Sequence, residues 1–188
     1  RWVCLCFTIG GAVALFDSNR FSSAKQEWAT PPEMFDALNN HYQFDFDLAA
    51  DETNHKCDNY FSAEDDALTQ DWKGRCWLNP PYGSKGANRL AKWVEKAYNE
   101  SRDGSCSVTM LIPARTNTAW WGQFCMNAAE ILFVIGRPKF GGAIHGLPQP
   151  LAIVTFAATK EKTRYGGYDV KTMTIDIERQ DGYAYVSQ

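Results

Sequence analysis

The feature that most constrains this 188-residue chain is a short apolar run that two prolines end abruptly. Cys76-Trp77-Leu78 has the composition of a buried strand, and Asn79-Pro80-Pro81-Tyr82-Gly83 follows it directly. Neither proline can donate to a sheet ladder and both fix φ, so the strand has to end in a rigid turn. Gly83 lets the backbone turn away or lets a ligand approach closely. The turn therefore presents an amide, a proline carbonyl and an aromatic ring at the end of a strand.

These groups suit a reaction at a planar amine that is conjugated to a ring. We expect the Asn79 side-chain oxygen and the Pro80 carbonyl to accept the two amine hydrogens, while Tyr82 stacks on the ring. Stacking of a base on an aromatic side chain is worth about 1–3 kcal/mol. A bare Pro-Pro pair is more often a stiffened surface turn, but the full motif after an apolar strand favours a functional site.

Composition narrows the class of protein. Aromatic residues make up 14% of the chain, which is typical of a globular domain and not of a disordered one. The net charge of −3 argues against a generic polyanion binder, so any nucleic-acid surface has to be a local basic patch.

The six cysteines include no Cys-x-x-Cys pair and no histidine at zinc spacing, so we expect a reducing compartment and no metal. The apolar stretch 2–16 is shorter than the roughly 20 residues that span a bilayer. The apolar region of a signal peptide is the alternative, but no small-residue cleavage site follows cleanly, so we expect a strand, a hairpin or a poorly ordered lead-in.

The order of periodic segments predicts an α/β fold with a mostly parallel sheet and antiparallel edge strands. Thr30 is expected to cap a first helix, with Pro31 at its first position. A second helix is expected over 88–101 because its apolar residues recur at the helical period. Strands are expected over 44–50, 76–78, 106–112, 131–135, 151–157 and 170–178, and the last two are expected to pair with each other at an antiparallel edge.

Two acidic residues are candidates for ligand contacts. Asp47 lies near the carboxyl end of an expected strand, where ligands bind in open α/β sheets. It either meets an ammonium or a ribose hydroxyl there, or is an exposed carboxylate on an edge strand. Asp66 belongs to an acidic run that is either a solvated loop or a loop held beside the proline turn.

Three basic residues are candidates for contacts with phosphate. Arg115 lies in the loop after the strand 106–112, where a surface salt bridge is the alternative role. Arg137 and Lys139 lie in the glycine-flanked loop 136–142, whose composition fits a substrate-facing element.

Six segments stand in the order found in the phage-type DNA N-6-adenine methyltransferases, and the chain resembles this family over about residues 21–158. The segments are Glu27-Trp28-Ala29-Thr30-Pro31, Asp47-Leu48-Ala49-Ala50, residues 60–68, Asn79-Pro80-Pro81-Tyr82-Gly83, residues 111–116 and residues 136–140. The resemblance implies a Rossmann-like S-adenosylmethionine-dependent methyltransferase fold with helices on both faces of the sheet. The family usually has Asp-Pro-Cys-Ala where this chain has Asp47-Leu48-Ala49-Ala50, which puts the strength of donor binding in question.

The resemblance also implies roles for individual residues. It gives the base-holding role to Asn79, Pro80, Pro81 and Tyr82. It implies that S-adenosylmethionine, the methyl donor, lies near Thr30, Pro31, Asp47, Ala50 and Asp66. Sequence alone does not distinguish Asp66 from Asp65 in this role.

The implied reaction is methylation of the exocyclic N6 amine of adenine in double-stranded DNA, with the base flipped into the site. Methylation of a protein glutamine amide or of RNA adenine by the same turn, and a DNA-binding module that has lost catalysis, are the alternatives. We expect a lead-in of unknown role over 1–20, a methyltransferase domain over 21–160 and a β extension of the same domain over 161–188. The resemblance implies a cytoplasmic protein of a bacterial host, encoded by a phage or prophage, and leaves the oligomeric state open.

Overall fold

The computed structural model describes residues 29–83, 89–138, 140 and 149–158, together with the backbone of two strands at 174–177 and 184–186. The stretch 2–16 and the candidate Lys139 lie outside the described residues. Within the described segments, no helix combines the length and the apolar composition needed to cross a membrane.

Eleven helices and strands make up the described part of the chain. The helices are α1 (Pro32–Tyr42), α2 (Leu90–Arg102) and α3 (Ala119–Gln123), with short 3₁₀ turns at Ala67–Thr69 and Cys125–Asn127. The strands are β1 (Phe46–Asp47), β2 (Asn59–Tyr60), β3 (Gly74–Leu78), β4 (Cys106–Pro113), β5 (Glu130–Val134), β6 (Leu151–Phe156), β7 (Thr174–Ile177) and β8 (Ala184–Val186).

The strands form one sheet in the order β2-β1-β3-β4-β6-β5-β7-β8. β1 to β4 are mutually parallel, β5 and β7 run in the same direction, and β6 and β8 run against them. The prediction of a mostly parallel sheet is therefore confirmed, and β8 is an antiparallel strand at one edge of the described sheet.

The expected pairing of 151–157 with 170–178 was wrong. β6 lies between β4 and β5 and is antiparallel to both, while β7 pairs in parallel with β5. Every side chain of β6 is buried, which suits a strand in the middle of a sheet with both faces covered. A strand that is apolar on both faces, as β6 is, carries no local signal of which strands it pairs with.

Helices cover both faces of the sheet, as predicted. Because successive side chains of a strand point to opposite faces, Cys76 and Leu78 of β3 pack with α2 and α3, whereas Trp77 packs with α1. α2 buries four of the five apolar positions expected from its period, Leu90, Trp93, Val94 and Ala97, whereas the fifth, Tyr98, is half-buried. The cysteines of the described region are free thiols, and Cys76, Cys106 and Cys125 are buried in this core.

The start of α1 differs from the expected one. The helix begins at Pro32, Pro31 occupies the N-cap position, and no side chain caps the first turn. The carbonyl of Pro31 accepts hydrogen bonds from the N–H groups of Met34 and Phe35. The hydroxyl of Thr30, which was expected to cap this helix, is therefore available for another partner.

Candidate active site

A cleft of about 390 Å³ opens at the carboxyl edge of the parallel strands. β1 and β3 are neighbours and run in the same direction, so the residues at their ends meet at one edge of the sheet. The volume lies in the range of about 300–1,000 Å³ that small-molecule sites occupy.

Most of the residues predicted from sequence meet in this cleft. Its wall includes Thr30, Asp47, Ala50, Asp66, Asn79, Pro80, Pro81 and Tyr82. Pro31 is half-buried beside Thr30 but does not line the cleft. Arg115 and Arg137 do not line it either. The structure thus brings together the motif expected to hold the base and four of the five residues expected to hold a donor.

Hydrogen bonds hold the Asn79 amide at both ends. Its Nδ2 donates to Thr30 Oγ1 at 3.2 Å, and its Oδ1 accepts from the Tyr82 hydroxyl at 2.8 Å. Thr30 is only 3% exposed, so this contact is shielded from water.

The Tyr82 hydroxyl lies between two acceptors. It is 2.8 Å from Asn79 Oδ1 and 3.0 Å from the Leu111 carbonyl at the end of β4. Burial raises the pKa of Tyr82 well above its ordinary value, so the phenol keeps its proton at any physiological pH. A single proton serves both acceptors, and the ring is tied to the sheet edge while part of it stays exposed in the cleft.

Asp47 is buried and not an exposed carboxylate on an edge strand. It is 3% exposed, and β1 has β2 on one side and β3 on the other. Its Oδ1 accepts from the Ala49 N–H at 3.3 Å and its Oδ2 from the Lys56 N–H at 3.0 Å. Burial raises the pKa of Asp47, while these two bonds and the charge of Lys56 act in the opposite direction. The carboxylate therefore fixes the loop after β1 and still faces the cleft.

The two neighbouring acids that sequence left undistinguished have different surroundings. Asp65 accepts from the Ser62 N–H and hydroxyl, both at 2.8 Å, and does not line the cleft. Asp66 lines the cleft and has φ of 47°, a left-handed conformation that is uncommon outside glycine. Asp66 is therefore the acid that a ligand in the cleft can reach.

Seven polar or aromatic residues of the cleft were not predicted as site residues, namely Asp51, Asn54, Lys56, Ser62, Glu64, Trp77 and Trp93. Asn54, Lys56 and Ser62 come from a polar stretch that has no periodicity, and Trp93 was assigned only to the apolar face of α2. No local pattern marks Lys56, because its position depends on how the loop after β1 folds back on Asp47. The charge of Lys56 was the one sequence feature that could have marked it as a candidate site residue.

The basic candidates lie at the same edge of the sheet but outside the cleft. Arg115 follows β4 and Arg137 follows β5, and these strands run in the same direction as β3. Arg115 is half-buried and donates to Gln149 Oε1 at 3.3 Å, and within the described ranges it forms no ion pair. Arg137 is exposed. Across the described segments, no cluster of three or more His, Cys, Asp or Glu residues has the geometry of a metal site.

The sheet, its covering helices and a cleft at its carboxyl edge define a Rossmann-like methyltransferase fold. The model of one protein family, described as DNA N-6-adenine-methyltransferase (Dam), matches residues 17–177. The chain belongs to this family.

Curated relatives agree with this assignment. The chain is 37% identical over 120 residues to the DNA N-6-adenine-methyltransferase of Haemophilus phage HP1, and 34% identical over 120 residues to that of Escherichia phage T1. Each match covers 62% of this chain, but 66% of the first relative and 48% of the second. A third relative, the putative methyltransferase YfdM of Escherichia coli K12, is 41% identical over 64 residues, which are 30% of this chain and 70% of that protein. The chain thus spans about two thirds of the length of the first phage enzyme and about half of the length of the second.

Proposed function

We propose that this protein transfers a methyl group from S-adenosylmethionine to the N6 amine of adenine in double-stranded DNA. The observation that carries the proposal is that the Asn79–Tyr82 motif and four of the five residues expected to hold the donor line one cleft. Family membership and the names of the two phage relatives support adenine in DNA as the substrate.

The residues of the cleft fit the donor. Its volume suits a ligand of this size, and its carboxylates suit a molecule that carries a sulfonium and an ammonium group. When bound, the donor supplies an electrophilic methyl group. We place its amino-acid end toward Asp47 and Thr30, and its adenosine end toward Asp66.

The chain contributes binding and orientation of the base. A base inside a duplex is out of reach, so it has to be flipped, at a cost of a few kcal/mol. The Tyr82 ring stacks on the flipped adenine, and Asn79 Oδ1 and the Pro80 carbonyl accept the two amine hydrogens. Both oxygens also stabilise the positive charge that develops on the nitrogen as the methyl arrives.

The alternative of a module that has lost catalysis was motivated by Leu48 and Ala49. Leu48 is 1% exposed and belongs to the hydrophobic core, so its side chain is accommodated without filling the cleft. Ala49 lines the cleft with a small side chain and donates its N–H to Asp47. The changed pair therefore leaves the cleft open, which favours a functional donor site.

The test compares methyl acceptors, using the purified protein. Methyl-tritiated S-adenosylmethionine is offered with duplex DNA, RNA and a protein mixture as separate acceptors, and the labelled products are identified by mass spectrometry. We expect label in duplex DNA as N6-methyladenine. Label confined to a protein glutamine amide or to RNA refutes the proposed substrate. A calorimetric titration that shows micromolar donor binding argues against the module that has lost catalysis, whereas absence of both donor binding and transfer favours it.

A further inference from the structure

The charges that line the cleft are unequal in number. Among the described residues of its wall, the acidic side chains are Asp47, Asp51, Glu64 and Asp66, whereas the basic side chains consist of Lys56 alone. An anionic group that enters this cleft is repelled from most directions and has one cation to meet.

Lys56 is placed to meet such a group. Its backbone N–H donates to Asp47 Oδ2 at 3.0 Å, which fixes the residue beside the buried carboxylate. The side chain is half-buried, and its Nζ lies 6.0 Å from the centroid of the Phe35 ring. The two ion pairs of the described segments, Arg75–Asp45 and Lys96–Glu100, do not include it. Within the described segments the Lys56 ammonium has no carboxylate at ion-pair distance and interacts with the Asp47 charge from further away, so it can bind an anion.

Asp47 and Lys56 together present opposite charges side by side. The amino-acid end of S-adenosylmethionine carries an ammonium and a carboxylate on one carbon, and these are the complementary charges. A carboxylate that is removed from water without a charged partner is strongly destabilised. Of the described residues that line the cleft, Lys56 is the one whose charge can offset that of the donor carboxylate.

We propose that the Lys56 ammonium binds the α-carboxylate of the methyl donor, with the α-ammonium toward Asp47. This inference rests on the proposed function, because it assigns one end of the proposed donor. It makes Lys56 a residue that distinguishes ligands with the amino-acid end from those without it.

The experiment compares two ligands in calorimetric titrations. S-adenosylhomocysteine carries the amino-acid end, and 5′-methylthioadenosine lacks it. We expect Lys56→Gln to weaken the binding of S-adenosylhomocysteine about 10- to 100-fold, since a charge-assisted hydrogen bond is lost, and to leave the affinity for 5′-methylthioadenosine unchanged. Lys56→Arg keeps the charge and retains most of the affinity. The control is Lys92→Gln, because Lys92 is exposed on α2 and outside the cleft.

The outcomes separate this inference from the proposed function. If Lys56→Gln binds S-adenosylhomocysteine within about twofold of the wild type, the inference is overturned and the proposed function stands. An equal loss for both ligands also overturns it, because a general change of the cleft then explains the effect. If the wild type binds neither S-adenosylhomocysteine nor S-adenosylmethionine, the proposed function fails and the inference falls with it.

Discussion

Replacing Tyr82 by Phe separates the two roles that the structure gives to this side chain. The ring stays, and the hydroxyl that lies 2.8 Å from Asn79 Oδ1 and 3.0 Å from the Leu111 carbonyl is removed. One proton serves both acceptors, so the change removes about one hydrogen bond and leaves a shielded acceptor, at a cost of about 1–3 kcal/mol. If the lost hydrogen bond lets the Asn79 amide move and the whole cost is added to the activation free energy, the methyl-transfer rate falls about 5- to 150-fold.

The assay measures transfer and base capture separately. Single-turnover methylation gives the rate, and a duplex with a fluorescent base analogue at the target position reports flipping. We expect Tyr82→Phe to slow transfer and to keep base capture, and Tyr82→Ala to weaken capture by about 1–3 kcal/mol because the stacking platform is lost. Urea unfolding of both variants checks that the fold is retained. The reasoning is refuted if Tyr82→Phe methylates at the wild-type rate, or if it loses capture as completely as Tyr82→Ala does.

Three further predictions concern the surroundings of the cleft. Trp72→Phe removes the indole N–H that donates to the Ala67 carbonyl at 2.8 Å, and it should lower the free energy of unfolding in urea by about 1–3 kcal/mol. An unchanged free energy of unfolding would contradict this prediction. Burial raises the pKa of Asp47, so its carboxylate takes up a proton at a higher pH than a free aspartate does. Donor affinity should therefore fall on acidification in a range above pH 3.8, and Asp47→Asn should bind the donor weakly at every pH. A wild-type affinity that stays constant down to pH 4 would contradict this prediction. If Arg115 and Arg137 contact phosphate, replacing either by Gln should reduce the salt slope of DNA affinity by about 0.9, whereas an unchanged slope removes that residue from the interface.

Patterns that are local in sequence predicted the structure well. The apolar period of α2 gave its buried face, because four of its five predicted apolar positions are among its buried residues. The strand before Asn79 ends where two prolines force it to end. The meeting of Asp47 and Asn79 in one cleft followed from the rule that parallel strands share a carboxyl edge.

Contacts between distant segments were the part that sequence did not predict. β6 was placed at an edge although it lies between β4 and β5, because burial on both faces does not identify partners. Thr30 was expected to cap its own helix, but its hydroxyl contacts Asn79, 49 positions along the chain. Lys56 came from a polar stretch whose fold depends on a buried carboxylate nine positions earlier.

The central claim is that the Asn79 amide holds the target amine. DNA from bacterial cells that express the chain is digested to nucleosides, and N6-methyladenine is quantified by mass spectrometry. The host has to lack adenine methylation of its own. We expect N6-methyladenine in the DNA of cells that express the wild type or Asn99→Ala, a matched change at an exposed position of α2. We expect none in the DNA of cells that express a folded Asn79→Ala. N6-methyladenine at near wild-type levels in the Asn79→Ala cells would contradict it.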